Sequence, residues 1–115
     1  MIEITLRKFL ESKLSVPVLM EIPKEPASQF VIIEKTGSTH ENHVDSAIMT
    51  IQSYAPSLQS AMELNELVKY WMLDGMEGLI TLDEIASVNL NSDYNYTDTT
   101  SKRYRYQAVY EITHY

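Results

Sequence analysis

Apolar and polar residues repeat with two periods along this chain, and each change of period marks the border of an element. Residues 2–14 repeat every three to four positions. Ile2, Leu6, Phe9, Leu10 and Leu14 share a face, with Arg7, Lys8, Glu11 and Ser12 elsewhere, which predicts an amphipathic helix. Residues 16–23 are apolar but bracketed by Pro17 and Pro23. Proline brings no N–H to a ladder, so this segment predicts a short edge strand. After a polar turn at 24–28, Phe30, Val31, Ile32 and Ile33 run almost without interruption to Glu34 and Lys35, the pattern of a central strand. Residues 36–43 have neither period nor bulk and read as a loop.

The clearest stretch is residues 45–74. Ala47, Ile48, Met49, Thr50 and Ile51, extended to Tyr54, have the composition of a strand. Pro56 ends it by lacking an N–H and by biasing Ala55 away from helical torsions. Ser57 can cap the free N–H groups of a helix that follows. From there Ala61, Leu64, Leu67, Val68, Trp71 and Met72 form one stripe, with Gln59, Glu63, Glu66 and Lys69 opposite. The stripe must cover the preceding strand, which places the sole tryptophan, Trp71, in the interior. Gly75 suits the position just past the helix end.

Beyond a less defined piece at 79–84, Ala86, Val88 and Leu90 alternate with Ser87, Asn89 and Asn91 as a one-sided strand. Residues 91–102 are almost free of aliphatic side chains and read as a second loop. The last strand alternates most cleanly. Tyr104, Tyr106, Ala108, Tyr110, Ile112 and His114 face one way, and Arg105, Gln107, Val109, Glu111, Thr113 and Tyr115 the other. The order α-β-β-β-α-β-β predicts one α+β domain over residues 1–115. Its sheet is mainly antiparallel with four or five strands, and both helices pack on one face.

Charge and composition narrow the function. The 115 residues include no cysteine, which removes disulfides and thiol chemistry. No apolar run approaches a membrane span, and the first residues lack the basic and apolar regions of a signal peptide, so a cytoplasmic protein without membrane contact is expected. The net charge of −7 disfavours wrapping nucleic acid. The one basic cluster, Lys102, Arg103 and Arg105, reads as a solvated strand edge that discourages sheet-to-sheet pairing.

Candidate chemistry is sparse. His40, Glu41, Asn42 and His43 offer two imidazoles and a carboxylate, but the zinc-protease pattern needs two residues between Glu and the second His, on a helix. Asp93, Asn95 and Thr97 open like a calcium loop, yet Asp98 stands where Gly is required and Tyr104 where Glu is. No nucleophile elbow or phosphate-cradling loop occurs. The expectation is a protein that is not an enzyme and holds no cofactor or metal. Tyrosine, at eight residues, is abundant, and Tyr94 and Tyr96 stand in the second loop, where a half-wet ring suits a partner surface.

The run from Phe30 to Gly37, a polar loop, an aliphatic strand into Tyr54-Ala55-Pro56-Ser57, the helix, and then Lys102, Arg103, Tyr104, Arg105, Tyr106 and Gln107 entering a final strand resembles the tail terminator proteins of long-tailed bacteriophages. These are also called tail-completion or head–tail joining proteins. The likeness covers residues 30–115, with a single glycine, Gly37, where the family often carries two. It implies a virion part that is monomeric until it forms a hexameric ring on the finished tail tube. The ring stops polymerisation, meets a head-completion or connector protein, and lets DNA pass through an acidic bore without binding it. The contact surface is then expected on the two loops: Ser38, Thr39, His40, Glu41, Asn42 and His43 in the first, and Tyr94, Tyr96, Thr97, Asp98, Lys102, Arg103 and Arg105 in and after the second. Both loops are expected to be flexible, ordering only on assembly, and to be removable without loss of the fold. A head-completion protein on the portal side and an acidic antitoxin-like binding module are the alternatives.

Overall fold

A computed structural model describes residues 1–42, 44–101 and 103–115. The elements are α1 (Ile2–Lys13), β1 (Val18–Leu19), β2 (Phe30–Glu41), β3 (Val44–Ala55), α2 (Leu58–Leu73), a 3₁₀ turn (Leu79–Thr81), β4 (Ile85–Asn95) and β5 (Tyr104–His114). This is the α-β-β-β-α-β-β order of the sequence reading. The strands form one sheet in the order β1-β2-β3-β5-β4. β1 joins β2 in parallel, and the other neighbours are antiparallel. β5 returns between β3 and β4, so those two run the same way and α2 is the crossover between them.

Alternation along the strands decides which face the helices cover. Val31, Ile33, Met49, Ile51, Ala108, Tyr110 and Ile112 meet Leu6, Phe9 and Leu10 of α1 and Leu64, Val68 and Met72 of α2 in one core. Each fully buried aliphatic side chain there contributes about 1.5–3 kcal/mol. The opposite face carries a smaller cluster of Phe30, Ile32 and Tyr54, with Leu19 against it. Both helices thus lie on one face, and the other is open.

The start of α2 is capped as expected, with Ser57 Oγ accepting from the Ser60 N–H at 3.1 Å. Its buried stripe differs in two places. Leu67 is 44% exposed, while Asn65 is only 1% exposed and donates to Asp93 of β4 at 3.2 Å. Trp71 sits at the rim of the core rather than inside it, under the Lys13 ammonium at 5.1 Å and edge-on to Tyr70. Helix spacing gave these residues their side of α2, but the position of α1 and β4 decided how deep each one goes.

β2 is not central. Its outer neighbour β1 covers only Val31 and Ile32, because prolines on both sides stop the predicted strand at two residues. Beyond Ile32 the outer edge of β2 is free. That explains the polarity of 36–41, which read as a loop: the segment is strand, paired from Gly37↔Ile48 to Glu41↔Val44, with both faces wet. Asn42 takes a φ of 53°, which Asn tolerates and a tight hairpin turn uses. A bulge between Lys35 and Gly37, and two more in β4, roughen the free edges against sheet-to-sheet pairing.

The second predicted loop is likewise shorter than expected. Asn91 to Asn95 extend β4 and pair with β5 as far as Asn95↔Tyr106. Their side chains are small and polar because this is an edge strand. Only the turn beyond Tyr96 is irregular, and it is held by Asn95 Oδ1 accepting from the Thr97 N–H and by Asp98 Oδ1 accepting from the Thr100 N–H, both at 3.0 Å. The described parts of both segments are hydrogen-bonded strand and turn, so they are not flexible margins, and deleting them would cut into the sheet.

Candidate functional site

The alternation of β5 sends Arg105 and Gln107 to the open face, and the register sets Tyr54 and Gln52 of β3 beside them, with Tyr94 of β4 beyond. Phe30 of β2 stands across from Tyr54. These residues form a continuous ladder across four strands. Phe30 and Tyr54 stack with centroids 4.6 Å apart and planes 8° from parallel. The Arg105 guanidinium lies 5.7 Å from the Tyr54 ring and 4.5 Å from the Tyr96 ring. Tyr96 meets Tyr94 edge-on at 5.8 Å.

A chain of hydrogen bonds fixes each rung. Arg105 donates through Nη1 to the Tyr54 hydroxyl at 2.8 Å and through Nε to the Tyr96 carbonyl at 2.6 Å. The Tyr54 hydroxyl donates to Gln52 Oε1 at 2.9 Å, and Gln52 Nε2 donates to Gln107 Oε1 at 2.8 Å. Gln107 Nε2 completes the chain by donating to the Tyr94 hydroxyl. The inner members are buried, Tyr54 at 3% exposure and Gln107 at 9%, while Tyr94 and Tyr96 remain 41% and 45% exposed. The result is a stiff surface with wet aromatic rings at its rim. Rings and guanidinium ordered in advance bind a partner at low entropic cost.

Arg105 is therefore not the solvated strand-edge charge that composition suggested. It lies on a central strand and acts as the middle rung, using the planar stacking that a lysine lacks. No carboxylate pairs with Arg103 or Arg105 among the described residues. The nearby Asp98 spends its oxygens on its own turn: hydrogen bonds from the Ser101 hydroxyl and from the Thr100 and Ser101 N–H groups hold its pKa below the usual carboxylate range.

The expected contact residues separate into two groups. Tyr94, Tyr96, Thr97, Asp98, Arg103 and Arg105 lie at the ladder end of the sheet. Ser38, Thr39, His40, Glu41 and Asn42 lie at the other end, where the register runs His40↔Asp45↔His114. His43 and Lys102 fall outside the described residues. Strands of 11–12 residues at about 3.3 Å each span about 36–40 Å. The strand direction therefore accounts for most of the longest dimension, 44 Å, and the two groups occupy opposite poles.

At the far pole His40 Nδ1 is hydrogen-bonded to Asp45 Oδ1. That bond is the main cause of the lowered Asp45 pKa, with His114 and Lys35 adding to it. Lys35 in turn pairs with Glu3 at 3.6 Å. No group of three or more His, Cys, Asp or Glu among the described residues is arranged to hold a metal ion.

Phe30, Gln52, Tyr54 and Gln107 were absent from the expected contact surface. Strand parity alone puts Arg105 and Gln107 on one face, but the register that brings them to Tyr54 and Gln52 is long-range. No family model matches the chain, and no characterised protein is significantly similar to it. No described helix is long and apolar enough to cross a membrane.

Proposed function

We propose that this chain is a structural subunit of the phage neck, a tail-terminator-type protein that closes the finished tail tube as a ring and offers its other end to the head connector. The observation that carries this reading is the separation of the two polar contact segments to opposite poles of a stiff 44 Å sheet. A part that joins two different neighbours needs two unlike ends. Here one end carries the aromatic–arginine ladder, and the other a hairpin bearing His40, Glu41 and Asp45, with His114 of β5 beside it.

The flanks support lateral assembly. Leu58, Met62 and Leu73 are about 40% exposed. They share a helical stripe with Lys69, which reaches Asp93 on β4 at 2.8 Å, so they line the β4 side of α2. On the α1 side, Leu67, Leu14 and Val16 line a groove of about 220 Å³. An apolar stripe on one flank and a groove of mixed polarity on the other suit a heterologous contact, which closes into a ring when its rotation is right. The net charge of −7 per subunit gives such a ring a bore that repels DNA.

Assembly is delayed by weakness of these small flanks rather than by disordered loops. The test is the mass in solution. Light scattering should find a monomer of 13.2 kDa alone and a ring when tail tubes are added. A chain that stays monomeric in the presence of tubes, or that co-purifies with a basic toxin, would contradict the reading.

A further inference from the structure

Beside the ladder, at the same pole, lies a cleft of about 180 Å³ lined by Pro26, Phe30, Tyr54, Pro56, Arg103 and Tyr104 together with small residues. We propose that this cleft binds an extended acidic segment of a partner protein, seating a proline or aliphatic side chain beside Pro56 and Tyr104 and a carboxylate on Arg103.

Three observations carry it. The volume fits one or two side chains of an extended strand and falls short of the several hundred Å³ of a small-molecule site. The walls are aromatic rings and prolines, the lining that grooves for proline-bearing extended peptides use. Arg103 is exposed at the rim and pairs with no carboxylate among the described residues, although the chain carries 16 acidic residues. Its bidentate fork therefore remains available to an incoming carboxylate.

A nucleic acid strand fits less well. Tyr54 is already flanked by Phe30 on one side and by Arg105 on the other, so its faces are not open to bases. The net charge of −7 also opposes a phosphate backbone.

The neck-assembly reading supplies only the identity of the partner. Failure of the titration below removes the cleft and leaves tail capping intact, whereas normal tails in the absence of the chain remove capping and leave the cleft. The experiment is an amide-resolved NMR titration of the whole chain with the blocked peptide Glu-Pro-Leu-Pro-Glu, its Gln-Pro-Leu-Pro-Gln counterpart and oligothymidylate. The acidic peptide should bind about tenfold tighter than the amide peptide, as one charge-assisted pair implies. Its shifts should centre on Ala27, Ser28, Ala55 and Tyr104. Arg103→Gln, at an exposed position, should bring the acidic peptide down to the level of the amide one, while Lys8→Gln on α1 should change nothing. Equal affinity for the two peptides, shifts elsewhere, or a preference for oligothymidylate overturns the proposal.

Discussion

Tyr110 and Arg105 point to opposite faces of β5, and the two show how differently a polar group can be treated in one strand. Arg105 donates to the Tyr96 carbonyl and to the Tyr54 hydroxyl. The Tyr110 hydroxyl is fully buried and finds no protein partner among the described residues. Burial raises its pKa above the ordinary tyrosine range, with the charges of Asp93 and Glu66 adding to the shift. The folded chain therefore holds this proton more tightly than the unfolded one. Stability is complete below about pH 10 and falls as pH rises past it. Lys69 acts with the same sign, its pKa raised first by the hydrogen bond to Asp93 and then by Glu66. Tyr110→Phe removes a hydroxyl that has no bond to lose. Denaturant titration should place it within about 0.5 kcal/mol of the parent at pH 7, or above it. Its stability should also fall less steeply above pH 10, the remaining slope belonging to Lys69. A loss of several kcal/mol at pH 7 would mean that the hydroxyl has a partner.

Among the elements, those whose pattern is set by one buried face were legible in the sequence. α1, α2 and β5 follow from periodicity and β3 from its composition, and Ser57 and Pro56 mark where β3 gives way to α2. The polar halves of β2 and β4 were not. Residues such as Ser38, Thr39, Asn91 and Ser92 are strand because a neighbour supplies the ladder, not because their own propensity asks for it. The ladder was half legible for the same reason: Tyr94, Tyr96 and Arg105 were singled out, while Tyr54 and Phe30, which complete it, looked like ordinary strand residues. Gly75 and Gly78 reverse an expectation too. Gly75 follows α2 with no positive φ, and a side chain there would meet nothing within 4 Å. At Gly78 an added Cβ would come within 2.3 Å of the Asp74 carbonyl and 2.8 Å of the Trp71 carbonyl. Both are backbone atoms that cannot rotate away. Gly78→Ala should therefore cost about 1–3 kcal/mol, and Gly75→Ala much less, by thermal or denaturant unfolding. Equal costs would show that the close approach of the 3₁₀ turn to the end of α2 is misjudged.

At the scale of the whole molecule, the sheet acts as a strut. Its helix side is a packed core, its open side is braced at one end by the aromatic–arginine ladder, and its free edges are roughened by bulges. Such a body transmits position from one end to the other without needing to change shape. This is what a joint between a tube and a connector requires. It also replaces the idea of loops that fold on assembly, since the described residues of the hairpin and of the β4–β5 turn are already braced by their own hydrogen bonds. The most direct test is the length of tails in particles assembled without this chain, measured by electron microscopy. Overlong tails of uneven length are expected, restored to uniform length when the chain is supplied. Tails of normal length on intact particles, or leaky heads with no tail joined, would contradict it.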